Sequence, residues 1–595
     1  MLKAALAALG IFLSSHAHAA AIAGVGDIAG LHPNWDWKTF ETDHFRVTYP
    51  AELEPVARKA AGHLEEAHGL LTQFLRWKPR LRTQVVVVDN QDSANGFAAA
   101  NLRIGMVLLA TPPDNWSSLY HYDDWLRLLC IHEYTHFVNI DTTTHWLYQG
   151  LRFLVGDTLL PNSLWPIWML EGLAVFTETR FTKAGRGRSP FYEMVLRSAV
   201  EEKKLDTSQF VTLDKVAGDN PYYPAGEIPY LFGYQLMNEV AKDTEIRTRG
   251  KTADLEEPLK DGQDALGLMS YRSGKRVPFL INSNLENIAY KNWYEYWDSW
   301  VAETTSRGEA SLAKIRSQPV TGLKRLTEKG FEVLGLAVSP DGKWLAYTQD
   351  GLDRRSSLYL RDLKSGKTRL LNDEKLLGVG HAFTPDSRTL LFSSLRRTSP
   401  FYLHSDLAEY DLERDSWHWL SQGLRARDPD VSHDGTLVAF TLSESAVTGL
   451  AVAPLEKHGS RHRLGTVRKL FMPPQMDRVS NPKFSPDGRH VVFTWHKNGV
   501  SAEDLASVDV ETGKVTTLLS DGHYNRFPAY DPKGHLHFVS DASGVDNIYA
   551  LRAPGQAELR TNVTTGLWLP AFAPEGTLYA SSFSTGGFDL SLIHI

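Results

Sequence analysis

Between about Trp37 and Arg316 the hydrophobic positions follow two periods. Phe45-Arg46-Val47-Thr48-Tyr49 alternates residue by residue, as a half-buried strand does, and 84–88 and 106–109 read as further short strands. Segments 53–75, 125–139, 166–180, 230–242 and 285–304 read as helices, and 125–139 and 166–180 are apolar nearly all round, the mark of buried helices. Strands followed by helices predict an α+β unit over residues 37–316.

Near Leu323 the pattern changes. Ser339-Pro340-Asp341-Gly342 is followed by five related segments with second residues Pro385, His433, Pro486, Pro532 and Pro574, at intervals of 45, 48, 53, 46 and 42 residues. Each precedes an alternating apolar run such as His490-Val491-Val492-Phe493. Proline presets φ and Asp-Gly supports a tight hairpin turn, so the aspartates read as turn residues rather than ligand contacts. Six strand-rich units at this period predict an all-β propeller of about six or more blades over 323–595. The repeats resemble those of TolB-like propellers, which implies six or seven blades. The chain ends soon after the sixth motif, with too few residues for a full sixth blade. That implies either a C-terminally truncated sequence or a ring closed by the first strands. The linker is expected between Thr304 and Leu323, with the two halves separable there.

Composition narrows the class. Of 595 residues, 42% are hydrophobic and 22% charged, with 45 Gly and 29 Pro, which excludes a disordered, collagenous or polytopic membrane chain. Lys and Arg number 63 against 70 Asp and Glu, a net charge of −7, so nothing points to a nucleic-acid partner. A single cysteine, Cys130, excludes a disulfide framework and a multi-thiolate metal site. At the start, Lys3, an apolar run over 4–13 and Ala17-His18-Ala19 form the pattern of a signal peptide over residues 1–19. The run is too short to span ~30 Å of hydrocarbon. Ala20, not Cys, follows the cleavage site, which argues against a lipid anchor. The most apolar later stretch, 159–176, is broken by Pro161, Pro166 and Glu171, so no transmembrane segment is expected. An exported protein with one cysteine fits a bacterial periplasm or exterior.

The chemistry gathers at His132-Glu133-Tyr134-Thr135-His136. On a helix, residues four apart lie on one face, so both imidazoles can meet one Zn²⁺, and Glu133 stands close enough to reach a water there without being a ligand. The surrounding Leu126, Leu128, Leu129, Ile131 and Phe137 bury this helix, and buried histidines beside a buried glutamate need a partner. A catalytic zinc takes a third protein ligand and keeps one open site. Asp141, His145, Asp157, Glu171 and Glu178 are the downstream candidates; Thr142 stands where metzincin spacing requires His. Glu171 and Glu178 lie seven apart, two turns along one face of a second apolar segment, Trp168-Met169-Leu170-Glu171-Gly172-Leu173-Ala174 onward.

His132 to His136 followed by Trp168 to Glu178 resembles the gluzincin metallopeptidases. More closely it is similar to the peptidase MA-like group of exported bacterial proteins, whose domain often precedes a TolB-like propeller. The resemblance covers about 40–316 and implies a zincin-like domain over 37–316, with one catalytic Zn²⁺ held by His132, His136 and Glu171 and with Glu178 in a supporting position. The 34 residues between His136 and Glu171 depart from the shorter gap of the aminopeptidase branch and leave room for an extra helical hairpin. The G-x-M-x-N signature of that branch is absent, so endopeptidase action is the expectation. Asn95-Gly96 reads either as a turn or as part of the strand edge that substrate pairs with. Related families also place a tyrosine after the third ligand as oxyanion donor. Tyr230 is the first choice here, with Tyr223 and Tyr234 as rivals, and a plain core tyrosine is the other reading.

The expected function is therefore zinc-dependent peptide hydrolysis with Glu133 as general base and Tyr230 as oxyanion donor. The propeller docks a peptide or protein substrate or a protein partner. The alternative is a periplasmic TolB-like binding or scaffold protein whose metal site is structural or relic. A metal-dependent hydrolase of another substrate is a further rival.

Overall fold

The computed structural model describes residues 31–594 apart from 101–104, 159, 217–221, 244–261, 329, 352–353 and 374–379. The expected signal peptide, residues 1–19, lies outside the described residues. No described helix is long and apolar enough to cross a membrane.

The N-terminal region is a mixed sheet with helices against it. Strands β1 (Trp37–Glu41), β2 (Phe45–Pro50), β3 (Thr83–Val88), β4 (Gly96–Ala99) and β5 (Gly105–Leu109) stand in the order β1-β2-β3-β5-β4. β2, β3 and β5 run parallel, while β1 and β4 pair antiparallel at the two edges. Helix α1 (Glu54–Phe74) crosses from β2 to β3 and packs its buried face on α2 (Trp125–Asp141). Then come α3 (Trp146–Val155), α4 (Ile167–Phe181), α5 (Pro190–Glu201), α6 (Ile228–Lys242), α7 (Gly262–Ser273), α8 (Ile281–Ala289) and α9 (Trp293–Arg316). The single helix expected over 285–304 is thus two. Tyr290 turns left-handed at φ 60°. Asn292 then starts α9 with a capping box, its side chain accepting from the Tyr294 and Glu295 N–H groups while Glu295 reaches back to the Asn292 N–H. α9 also runs to Arg316, through most of the stretch expected to be a linker.

From β6 (Gly322–Arg325) onward the chain is β-rich. Successive antiparallel units cover 333–372, 381–419, 426–471, 478–519, 526–559 and 567–594. The third and fourth are joined into one sheet through the Thr448↔Arg478 bridge. The last unit has three strands of its own and takes its fourth from β6, which pairs antiparallel with Gly587–His594. Of the two expectations for the short last unit, the pairing of β6 with it is the one in which the first strand takes part. In the repeated turns the aspartates fold back on their own hairpins: Asp341 accepts from Ser339 Oγ at 2.6 Å, Asp434 from Ser432 Oγ at 2.7 Å and Asp487 from Ser485 Oγ at 2.6 Å.

The two regions share a broad contact. Arg425 clasps Asp89 with both terminal nitrogens at 2.8 and 2.9 Å and Asp92 through Nε at 2.7 Å. Arg526 donates to the Asn115 carbonyl at 3.0 Å and lies 4.2 Å over the Tyr120 ring. Arg197 of α5 donates to the Thr564 and Thr565 carbonyls. Phe191 packs against Trp568 and Phe583, and Tyr223 against Phe331 and Phe583. Beside Phe331, burial, with Asp350 and Glu227 adding to it, pushes the Glu332 carboxyl up to about 7. A carboxyl raised in the folded state binds its proton more tightly there, so folding stability falls as pH rises from the unfolded value through about 7. Glu332→Gln is expected to remove ~1–2 kcal/mol of that fall, allowing for the solvent that still reaches this residue. Urea unfolding at pH 5 and pH 8 checks it, and an unchanged pH dependence in the variant would count against it.

Candidate metal centre

α2 starts at Asp124, whose carboxylate accepts from the Arg127 N–H at 3.2 Å. It carries His132, Glu133 and His136 inward, at 5, 5 and 9% exposure, burial that neither imidazole nor carboxylate tolerates without a partner. α4 lies across α2 and presents Glu171; the Thr135 and Thr177 hydroxyls meet between the two helices at 2.6 Å. α4 in turn crosses α6 at Gly172 and Gly233. A Cβ on Gly172 would lie 2.4 Å from the Gly233 carbonyl carbon, so only glycine admits this approach. That contact brings the first turn of α6 and Tyr230 over the cluster.

The three ligand atoms converge. His132 Nε2 and His136 Nε2 are 3.2 Å apart, and Glu171 Oε2 is 3.4 Å from the first and 3.2 Å from the second. A tetrahedral ion with ligand bonds of ~2.0–2.1 Å sets edges of ~3.3 Å between its donors. Glu171 Oε2 is buried and makes no hydrogen bond; what stands near it are the two imidazole nitrogens. This orphaned oxygen, aimed at two imidazole nitrogens, fits a divalent cation. His132, His136 and Glu171 are the group of metal-capable side chains found among the described residues. Burial would raise Glu171, but the two histidines beside it hold its carboxyl well below the usual range.

Behind the cluster stands a second layer. His132 Nδ1 lies 2.8 Å from Glu178 Oε2. Glu178 is fully buried and receives the Arg186 backbone N–H at 2.9 Å and its guanidinium at 3.0 Å to each oxygen. Burial would raise Glu178; Arg186 outweighs it and holds the carboxyl down at about 2. Arg186 Nη2 also lies 2.9 Å from His132 Nδ1, but it already donates to Glu178; with Nδ1–H donating to the ionised Glu178, the Nε2 lone pair is left for a metal, the carboxylate–histidine arrangement of a metal ligand.

Glu133 faces the edge strand. A Cβ on Gly96, the first residue of β4, would fall 2.5 Å from Glu133 Oε1, so the strand passes directly over the carboxylate. Burial pushes Glu133 up, which makes it a stronger base. Gly96 is the first residue of a strand and Asn95 the residue before it, and β4 is the outermost strand on its side of the sheet. The Tyr230 ring stacks 6.2 Å from that of His132 with Arg186 4.6 Å over it. The rival tyrosines lie elsewhere: Tyr223 packs at the domain contact and Tyr234 against Gly187. The other ligand candidates are engaged as well. His145 caps α3, accepting from the Leu147 N–H, and Asp141 and Asp157 bind Arg152. Arg186 escaped sequence reasoning, although Gly185-Arg186-Gly187-Arg188 just after α4 was a visible signal.

No family model matches this chain, and no curated protein matches it. Partial likenesses to solved structures exist. TolB from Acinetobacter baumannii is 19% identical over 44% of this chain and 54% of that one, with TM-score 0.29; the chain thus spans about half of that structure. The putative TolB from Agrobacterium tumefaciens is 24% identical over 39% of this chain and 79% of that one, with TM-score 0.32. A gluconolactonase from Xanthomonas campestris is 15% identical over 46% of this chain and 89% of that one, with TM-score 0.36. At these scores nothing about the site carries over from them.

Proposed function

We propose that this is an exported, zinc-dependent hydrolase of peptide bonds whose β-rich region is a six-bladed propeller set against the catalytic domain. The observation that carries the reading is Glu133, a buried carboxylate beside three converging ligand atoms and directly beneath the edge strand of the sheet. A structural ion has no use for such a base. His132, His136 and Glu171 would hold the ion, which supplies Lewis-acid chemistry, lowering the pKa of water and polarising a carbonyl. Glu133 takes the proton from the attacking water and passes it to the leaving amine. Tyr230 donates its hydroxyl to the developing oxyanion. Glu178, held ionised by Arg186, accepts from His132 Nδ1 and orients that ring. The free side of β4 takes an extended peptide by strand addition. Pairing of β6 with the last strand supports a closed ring of six blades. Export rests on the sequence of residues 1–19.

The cluster taken by itself fits a second reading at least as well: a periplasmic binding or scaffold protein in which the ion only ties α2 to α4. What favours it is closure. The cluster is buried, and the segments flanking it are fastened to the β-rich region, at Asp89 and Asp92 on one side and at Tyr223 on the other. The hydrolase and a structural site both require a metal; a relic site does not. Elemental analysis of the purified protein should find about one zinc per chain, and none after His136→Ala or Glu171→Ala. Full retention by Glu171→Ala would remove it from the ligand set.

A further inference from the structure

α3 is amphipathic the wrong way round. Its exposed positions, Trp146, Leu147, Gly150, Phe153 and Leu154, fall in one stripe of ~120° at 100° per residue. That stripe holds no polar side chain, and Trp146 and Phe153 are 75 and 90% exposed. The polar positions point inward instead. Tyr148 donates to the Arg276 carbonyl at 3.2 Å, Gln149 to the Thr143 carbonyl at 3.1 Å, and Arg152 binds Asp141 and Asp157. A surface helix ordinarily turns its apolar stripe to the core.

Two neighbouring segments extend the patch. Residues 271–280 join α3 through the Tyr148 bond and through Thr144 N–H to the Gly274 carbonyl at 3.1 Å, and they expose Val277, Phe279 and Leu280. Residues 76–82 join through Arg80 to Gln149 at 3.1 Å and expose Leu81. Across 76–82, 145–156 and 271–280 the chain has eight Lys or Arg and no Asp or Glu, although its net charge is −7; Arg152 is turned inward on Asp141 and Asp157, Arg82 pairs with Glu41 and Arg272 is buried, which leaves Arg76, Lys78, Arg80, Lys275 and Arg276 around the patch. Lys78 and Arg80 stand exposed beside the apolar side chains, with Lys275 and Arg276 half-exposed. Apolar side chains with Trp and Phe, ringed by one sign of charge, form the surface that inserts into the interface of an anionic bilayer.

We propose that this face is a membrane-docking surface for anionic lipid, with α3 lying in the interface plane and Phe153, Leu154 and Trp146 entering the acyl boundary. The acidic remainder of the protein is repelled by the same surface, so the patch also sets its orientation. The test is flotation of the mature protein with phosphatidylglycerol-containing vesicles and with phosphatidylcholine vesicles. Binding to the anionic vesicles is expected, weaker on neutral ones and falling with salt. Phe153→Glu with Leu154→Glu should lower binding at least about tenfold, and Lys78→Ala about fivefold. These side chains are exposed, so thermal unfolding should be unchanged; a variant that unfolds earlier is replaced by Trp146→Ser. No binding by the wild type, or equal binding by the double variant, overturns the proposal. So does a wild-type dimer that the double variant dissociates without any vesicle binding, which would assign the face to a second copy of the chain.

Discussion

Glu133→Gln is expected to keep its zinc and to lose at least ~10²–10⁴-fold in hydrolytic rate, the range that general acid–base catalysis supplies. The amide matches the carboxylate in shape, so the space beneath Gly96 is filled as before and His132, His136 and Glu171 are undisturbed. What it lacks is a lone pair basic enough to take a proton from water. The raised Glu133 carboxyl has that capacity because burial disfavours its charge. Tyr230→Phe should give a smaller loss, up to ~10²–10³-fold for one oxyanion donor. The scaffold reading predicts no difference among these proteins and no cleavage by any of them. Digestion of casein or a mixed peptide library, read by mass spectrometry beside elemental analysis, separates the two. Equal cleavage by wild type and Glu133→Gln would sink the proposed mechanism.

How much of this was legible depended on sequence distance. His132, Glu133 and His136 sit within five residues, and helical spacing alone brings them together. Glu171 was one of five open candidates until a resemblance singled it out; the crossing that delivers it depends on Gly172 and Gly233, 61 residues apart. The turn repeats were legible because five of the six hairpins are closed by their own aspartate, a contact over two residues. β4 was read only as an option because four residues at a sheet edge carry too little pattern. The inverted face of α3 was not seen at all: its sequence is amphipathic, and only the surrounding hydrogen bonds decide which side is turned outward. The split at Tyr290 was legible in retrospect, since Asn292 followed three residues later by Glu295 is a helix-start signature.

The contact between the regions was the least legible feature, because charge pairs more than 300 residues apart leave no local trace. Asp89, Asp92 and Asp114 find their cations in the β-rich region, so cutting the chain near Leu323 leaves these pairs to hold the two halves together. Arg425→Ala is therefore expected to cost ~3–5 kcal/mol, the penalty for breaking a buried pair while leaving its partner charged. Asp89 retains the Thr111 hydroxyl and the Ala446 N–H, which are neutral donors and cannot replace a guanidinium. Asp89→Ala with Arg425→Ala together should cost less than the two single changes summed, the signature of a direct pair. Denaturant unfolding of the four proteins gives the cycle. A loss below ~1 kcal/mol in Arg425→Ala would mean that the clasp is a surface pair of ordinary worth. The variant should also unfold in two steps where the wild type unfolds in one, because the loop 89–92 that leads into β4 is held by this arginine. Loss of the clasp then frees the strand that passes over Glu133, so a fall in peptide cleavage with zinc retained is the expected companion result. It would connect the domain contact to the chemistry through one stretch of chain.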